Sequence, residues 1–217
     1  MSAEWEACKQ EVITRFKTQP QQFGRGDLYQ AHEEWGIPGQ RPTQFRLYRY
    51  QAERWMPEAA SVLDIGCNIG LIGMALSDTI ERYVGFDNNP LLIEIAATLA
   101  AQREVDNCEF LAMAFDEFIR HNQGQTFDVV CSFAVHVWIG LPIAEYGRVL
   151  HGLLNENGLL ALESNRLETN DQDFYTHVQT ILDCGFALEY QTTLKDDGVI
   201  ERGFCVLRKV AATPPAP

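Results

Sequence analysis

The sequence has no long apolar run, no paired-cysteine motif and little positive charge. No stretch approaches the ~20 apolar residues that a membrane-spanning helix needs, so no membrane association is expected. The six cysteines, Cys8, Cys67, Cys108, Cys131, Cys184 and Cys205, include no Cys-x-x-Cys pair. Most fall in apolar runs typical of reduced, buried thiols, which argues against disulfides and structural zinc and for a cytoplasmic protein. Met1 to Glu6 lacks the basic start and apolar stretch of a signal peptide. Only 17 Lys and Arg stand against 30 Asp and Glu, a formal net charge of −13. Such a field repels phosphate backbones and makes nucleic acid a poor partner.

What is present is a regular body behind an irregular leader. At 217 residues the chain suits one α/β domain plus an accessory segment. The composition shifts near Met56-Pro57-Glu58, dividing an N-terminal helical cap or lid (1–58) from a body (59–210) and a disordered tail (211–217). In the leader a helix is expected over Glu4 to Phe16, breaks at 19–26, a turn at Pro38-Gly39, and one helix from about Pro42 to Trp55. In the body, apolar runs at 61–65, 82–86, 108–112, 127–132, 159–163, 187–195 and 199–207 read as strands. Amphipathic stretches at 69–77, 89–102, 115–121, 142–154 and 173–182 read as helices. Alternation of this kind predicts a doubly wound α/β fold with a mainly parallel seven-stranded sheet. The turn Asp196-Asp197-Gly198 reverses the last strand, which must run antiparallel.

The first strand ends in Asp64-Ile65-Gly66 and passes through Cys67-Asn68-Ile69-Gly70 into a helix, so backbone NH groups and a helix N-terminus converge on one spot. Gly66 and Gly70 permit the tight turn and would let a ligand approach the main chain. A dinucleotide fingerprint ending at Gly73 needs a glycine at 68, where Asn stands. Asp64 would repel a pyrophosphate yet suits a ligand carrying an ammonium and a sulfonium, and this favours S-adenosylmethionine. Asp87, at the end of the next strand, can accept bonds from both ribose hydroxyls, while Asn88 or Asn89 is the better cap for the helix that follows.

Together Val62–Gly70, Gly85–Asp87, Phe127–Phe133 and Asn157–Glu163 resemble the successive motifs of class I S-adenosylmethionine-dependent methyltransferases, over about residues 60–208. The resemblance implies Asp64 near the methionine end, Gly66, Cys67, Asn68 and Gly70 along the cofactor, Asp87 on the ribose with Asn88 beside it, and Phe133 nearby. Asn68 replaces the usual middle glycine, and it either contacts the methionine carboxylate or closes the turn. Phe115 is assigned to the adenine face and Asp116 to its amine; core packing and helix capping are the alternatives.

Methyl transfer from a sulfonium mainly needs alignment and exclusion of water. The acceptor pocket is expected outside the strand ends, with Trp138, Glu163 and Asn165 on its rim. The loop after Ser132 carries neither an Asn-Pro-Pro-Tyr tetrapeptide nor a Pro-Cys nucleophile, and the chain has no paired-glutamate loop, which leaves small acceptors. His136 is either the base that deprotonates an acceptor hydroxyl or a packing histidine. In the leader, Arg41, Arg46, Arg49 and Arg54 interleave with aromatics. Arg46 and Arg49, three apart on a helix, face either solvent or the cofactor carboxylate and an anionic acceptor. Tyr29, His32 and Trp35 belong to the same leader and are expected to form a lid over the pocket. No carboxylate cluster is legible at the strand ends, so no metal is expected. The expected activity is methylation of a small molecule at a hydroxyl oxygen, such as a sugar or secondary metabolite. RNA modification and a noncatalytic scaffold are the rivals, and a homodimer is possible.

Overall fold

The computed structural model describes residues 2–18, 27–195 and 197–210. In chain order its elements are α1 (Ala3–Lys17), β1 (Gln30–Ala31), β2 (Arg41–Pro42), α2 (Thr43–Tyr50), α3 (Ala52–Trp55), β3 (Ser61–Ile65), α4 (Leu71–Leu76), β4 (Arg82–Asp87) and α5 (Pro90–Gln102). They continue with β5 (Cys108–Ala112), α6 (Phe115–His121), β6 (Phe127–Phe133), a 3₁₀ turn (His136–Trp138), α7 (Ile143–Leu153), β7 (Leu154–Glu163), α8 (Phe174–Leu182), β8 (Phe186–Leu194) and β9 (Arg202–Lys209). The expected breaks at 19–26, Asp196 of the last turn and the expected tail at 211–217 lie outside the described residues.

Seven strands form one sheet in the order β5-β4-β3-β6-β7-β9-β8. Pairing is parallel from β5 through β7, and β9 runs antiparallel to both neighbours, as the sequence predicts. Val62, Leu63, Val129, Val130, Leu160, Ala161 and Leu162 of the central strands are fully buried, because helices cover both faces. The order reverses between β3 and β6, which opens a crevice at their carboxyl ends.

The leader is packed onto this body. Trp5, Cys8, Val12 and Phe16 form the inner stripe of α1 and join one apolar cluster with Leu91, Ile95 and Leu99 of α5 and with Ile69 and Leu71 of the glycine loop. At roughly 1.5–3 kcal/mol for each large apolar side chain buried, that stripe contributes several kcal/mol. The single helix expected over 42–55 is broken: Gln51 adopts a left-handed conformation (φ 54°) that separates α2 from α3. The Trp55 indole donates to the Tyr50 carbonyl at 2.8 Å and satisfies one acceptor that the break frees. The two-residue parallel bridge of β1 with β2 pairs Gln30 with Arg41; runs this short carry no periodicity.

Candidate active site

The glycine loop follows β3 as expected, and its glycines also admit close packing of the protein's own side chains. Gly66 and Gly70 have φ of 73° and 71°, and Asn68 also lies in the left-handed region at 56°. A Cβ at Gly66 would fall 2.5 Å from Val135 Cγ1, and one at Gly70 would fall 2.3 Å from the Phe110 ring. On the side to which a Cβ would point, the loop is therefore packed by the protein's own side chains. This packing also presses the turn after β6 onto the loop. Gln30 staples the loop from the leader, donating to the Cys67 carbonyl (3.2 Å) and accepting from the Leu71 amide (3.0 Å). The Cys67 side chain is buried, and burial pushes its thiol well above the usual range.

Asp87 cross-links the loop to the end of β4, accepting from the amides of Asn68 (3.1 Å) and Asn89 (3.0 Å). Asn89 caps α5 through Leu91 N, and Asn88 is exposed. Asp87 is therefore free of the capping role. Asp64 is 2% exposed and accepts from the Tyr83 hydroxyl at 2.5 Å. Burial pushes its carboxyl up to about 7, against the opposing pull of Tyr83 and Arg46.

Over β3 and β7 sits a buried ionic network. Glu163 is paired by Arg41 (2.5 Å) and Arg46 (3.3 Å), all three at most 2% exposed. Arg41 also donates to the Tyr29 hydroxyl (2.7 Å), and Arg46 donates to that of Tyr50 (2.9 Å). Burial alone would raise the Glu163 carboxyl, but Arg41 and Arg46 together hold it at about 2. Two guanidiniums against one carboxylate leave a local excess of positive charge, and Nη1 of Arg46 is buried without a hydrogen-bond partner. Asn68 Oδ1 is in the same condition. Both are polar atoms whose burial calls for a polar ligand.

Several expected site residues lie elsewhere. Glu163 is the arginines' counter-ion, not a rim residue. Arg49 is exposed while Arg46 is buried; it is the i, i+4 pair of Arg46 with Tyr50 that shares the inner face of α2. His32 stacks on Trp35 (3.9 Å between centroids), Gln44 reaches its ring, and Trp35 stacks against Arg103 just past the end of α5. The 13 residues of α5 place Arg103 about 20 Å along the helix from Asn89, while Gln30, two residues before His32, bonds the glycine loop. Burial and Arg103 push the His32 imidazole down to about 4, as suits a packing histidine. Phe115 is core, 5.4 Å from the Tyr146 ring, and Asp116 faces solvent, paired with Arg120.

The strand-end residues do converge. Phe133 lies 5.0 Å from the Tyr50 ring, with the Arg46 guanidinium 5.9 Å from its centroid. His136 follows in the 3₁₀ turn, 5% exposed, its Nε2 3.2 Å from Asp171 Oδ1. Asp171 Oδ2 accepts from the Asn165 amide (2.8 Å), while Trp138 is 57% exposed beside them. Gln30, Asp171 and His177 carried no sequence signal, since each acts from a segment without a motif.

A reversing parallel sheet with a glycine loop after its first strand, an acidic residue after its second and buried polar atoms at the crevice has the layout of a Rossmann-like ligand-binding domain. The sequence pattern of the methyltransferase-domain family matches residues 57–195, and the chain belongs to that family. Its fold is that of the class I S-adenosylmethionine-dependent methyltransferases. The zebrafish (Danio rerio) tRNA (uracil-5-)-methyltransferase homolog B is 40% identical over 67 residues, 30% of this chain and 14% of that protein. Among solved structures, the bifunctional kinase-methyltransferase WbdD superposes with a TM-score of 0.65 at 21% identity, covering 91% of this chain and 46% of that one. A putative methyltransferase complexed with S-adenosylhomocysteine superposes at 0.59 with 11% identity, covering 75% and 48%. The chain thus spans less than half the length of each. Among the described residues no helix is long and apolar enough to cross a membrane.

Proposed function

We propose that the protein methylates a hydroxyl oxygen of a small molecule, with His136 as the base. The observation that carries this reading is the turn after β6: Val135 packs on Gly66, and the next residue is a buried histidine held by a carboxylate. Asp171 accepting the Nε2 proton fixes the tautomer with the lone pair on Nδ1, which is buried and has no partner. That nitrogen takes the hydroxyl proton as the oxygen attacks the methyl carbon and the C–S bond breaks. S-adenosylmethionine supplies the electrophilic methyl group.

For the cofactor, Asp87 takes the ribose hydroxyls with its remaining lone pairs, Asp64 faces the ammonium, and Arg46 Nη1 with Asn68 takes the methionine carboxylate. Phe133 lies along the cofactor. Trp138 and Asn165 rim the acceptor pocket, and Tyr29 reaches its floor through Arg41. The net charge of −13 weighs against an RNA acceptor.

If Asp64 meets the ammonium, cofactor affinity depends on pH. The free carboxyl titrates near 7; a cation favours its charged form, so binding tightens as pH rises through 7 and weakens below it. Calorimetry should give a Kd at pH 5.5 about tenfold or more above that at pH 7.5. A flat profile would separate Asp64 from the ammonium.

An acceptor screen that follows S-adenosylhomocysteine release tests the reaction itself. Turnover with hydroxyl compounds is expected, and it should survive EDTA, since displacement at a sulfonium needs no Lewis acid. Turnover restricted to RNA, or none with any acceptor, would favour the rival readings.

A further inference from the structure

We infer that His136, Asp171 and His177 form a binding site for a transition-metal dication of the Zn²⁺ class. The three residues come from the turn after β6, the loop after β7 and the first turn of α8, and their ligand atoms lie within 4.8 Å of one another. Asp171 Oδ1 is 3.2 Å from His136 Nε2 and 3.9 Å from His177 Nδ1. Ligands around tetrahedral zinc, with bonds of about 2.0–2.2 Å, stand about 3.4 Å apart. The first pair already has that spacing. The second needs an approach of about half an ångström, which a rotation of His177, 30% exposed, would supply.

The charge balance points the same way. Asp171 is fully buried, and its only ion-pair partners are the two imidazoles, with no Lys or Arg in reach among the described residues. A buried carboxylate requires a cation, and elsewhere in this protein Glu163 has two. Here the structure supplies none of permanent charge. Nδ1 of His177 is also buried without a hydrogen-bond partner, directed at that carboxylate. Asn165 N holds Asp171 Oδ2 at 2.8 Å, leaving Oδ1 for the ion in the manner of an outer-shell support. Two imidazoles and one carboxylate select zinc, cobalt or nickel over Mg²⁺ and Ca²⁺, which prefer all-oxygen shells. Three protein ligands leave a fourth position open.

Occupancy excludes the base, a consequence that rests on the reading of His136 given above. Metal on Nε2 leaves the ring proton on Nδ1, so the loaded imidazole has no lone pair for the acceptor. The ion is accordingly an inhibitor that ties the loop after β7 to the turn after β6, and metal-free enzyme is the active form.

The test uses the full chain, stripped with chelator and titrated with Zn²⁺ by calorimetry and with Co²⁺ by visible absorption. One equivalent is expected at micromolar Kd or tighter, with ligand-field bands of a low-symmetry Co²⁺ site and a raised thermal midpoint. His177→Ala, which replaces a partly exposed side chain and should fold, is expected to weaken binding at least tenfold and abolish the Co²⁺ bands. Absence of binding, or binding unchanged in His177→Ala, would overturn the site. Metal binding without loss of turnover would sustain the site and remove the base; inhibition by Zn²⁺ that His177→Ala relieves would support both.

Discussion

Glu163→Gln is expected to destabilise the protein by about 3–5 kcal/mol, because it leaves two buried guanidiniums with no carboxylate between them. At about 2–4 °C per kcal/mol for a domain of this size, the thermal midpoint should fall by roughly 10 °C. Removing one arginine instead leaves Glu163 with the other, so Arg41→Met should cost less than the glutamate change. The pH dependence has a defined sign. The Glu163 carboxyl sits near 2 in the folded chain, below its unfolded value of about 4.3, so its contribution is complete above pH 5 and is lost as pH falls toward 2. Scanning calorimetry of both variants checks this. A Glu163→Gln midpoint within 2 °C of wild type would mean that water enters the network and that the arginines are solvated in the folded protein.

His136→Ala carries the second large effect, on rate. Loss of the base should lower kcat about 10²-fold or more while S-adenosylmethionine binds with unchanged Kd. Asp171→Asn should also depress kcat, by weakening the tautomer preference that leaves Nδ1 basic. His32→Ala is the contrast. Its ring is packed between Trp35 and Gln44, so it should lose stability and keep its turnover per folded molecule. Equal kcat in His136→Ala and wild type would reduce His136 to a packing residue and move the proton to solvent.

The body of the fold was legible because each strand of its sheet is a short apolar run between helices of clear period, and β5 and α6 fall on their expected residues. The leader departs in part from its sequence pattern. Its helices have the expected polarity, but a non-glycine residue in the left-handed region at Gln51 has no sequence signature. The packing of His32 on Trp35 and of Trp35 on Arg103 was not legible for a related reason. Aromatic and basic residues look alike whether they cover a ligand or pack a helix, and only the fold shows that Arg103 is their neighbour. The positions of Asp64, Asp87 and His136 at or just after strand ends were legible because a strand announces each of them. Gln30, Asp171 and His177 come from a two-residue strand, a loop and a helix start, each more than 30 residues in sequence from the Cys67 or His136 it meets, and no local pattern marks that distance.

Whether the loop after β3 and Asp87 hold S-adenosylmethionine is tested directly by calorimetric titration of wild type and Asp87→Ala. Wild type should bind with a micromolar Kd, about −8 kcal/mol, and Asp87→Ala should bind at least tenfold more weakly while still unfolding cooperatively. Equal affinity in the two proteins, or no heat of binding in either, would contradict the account.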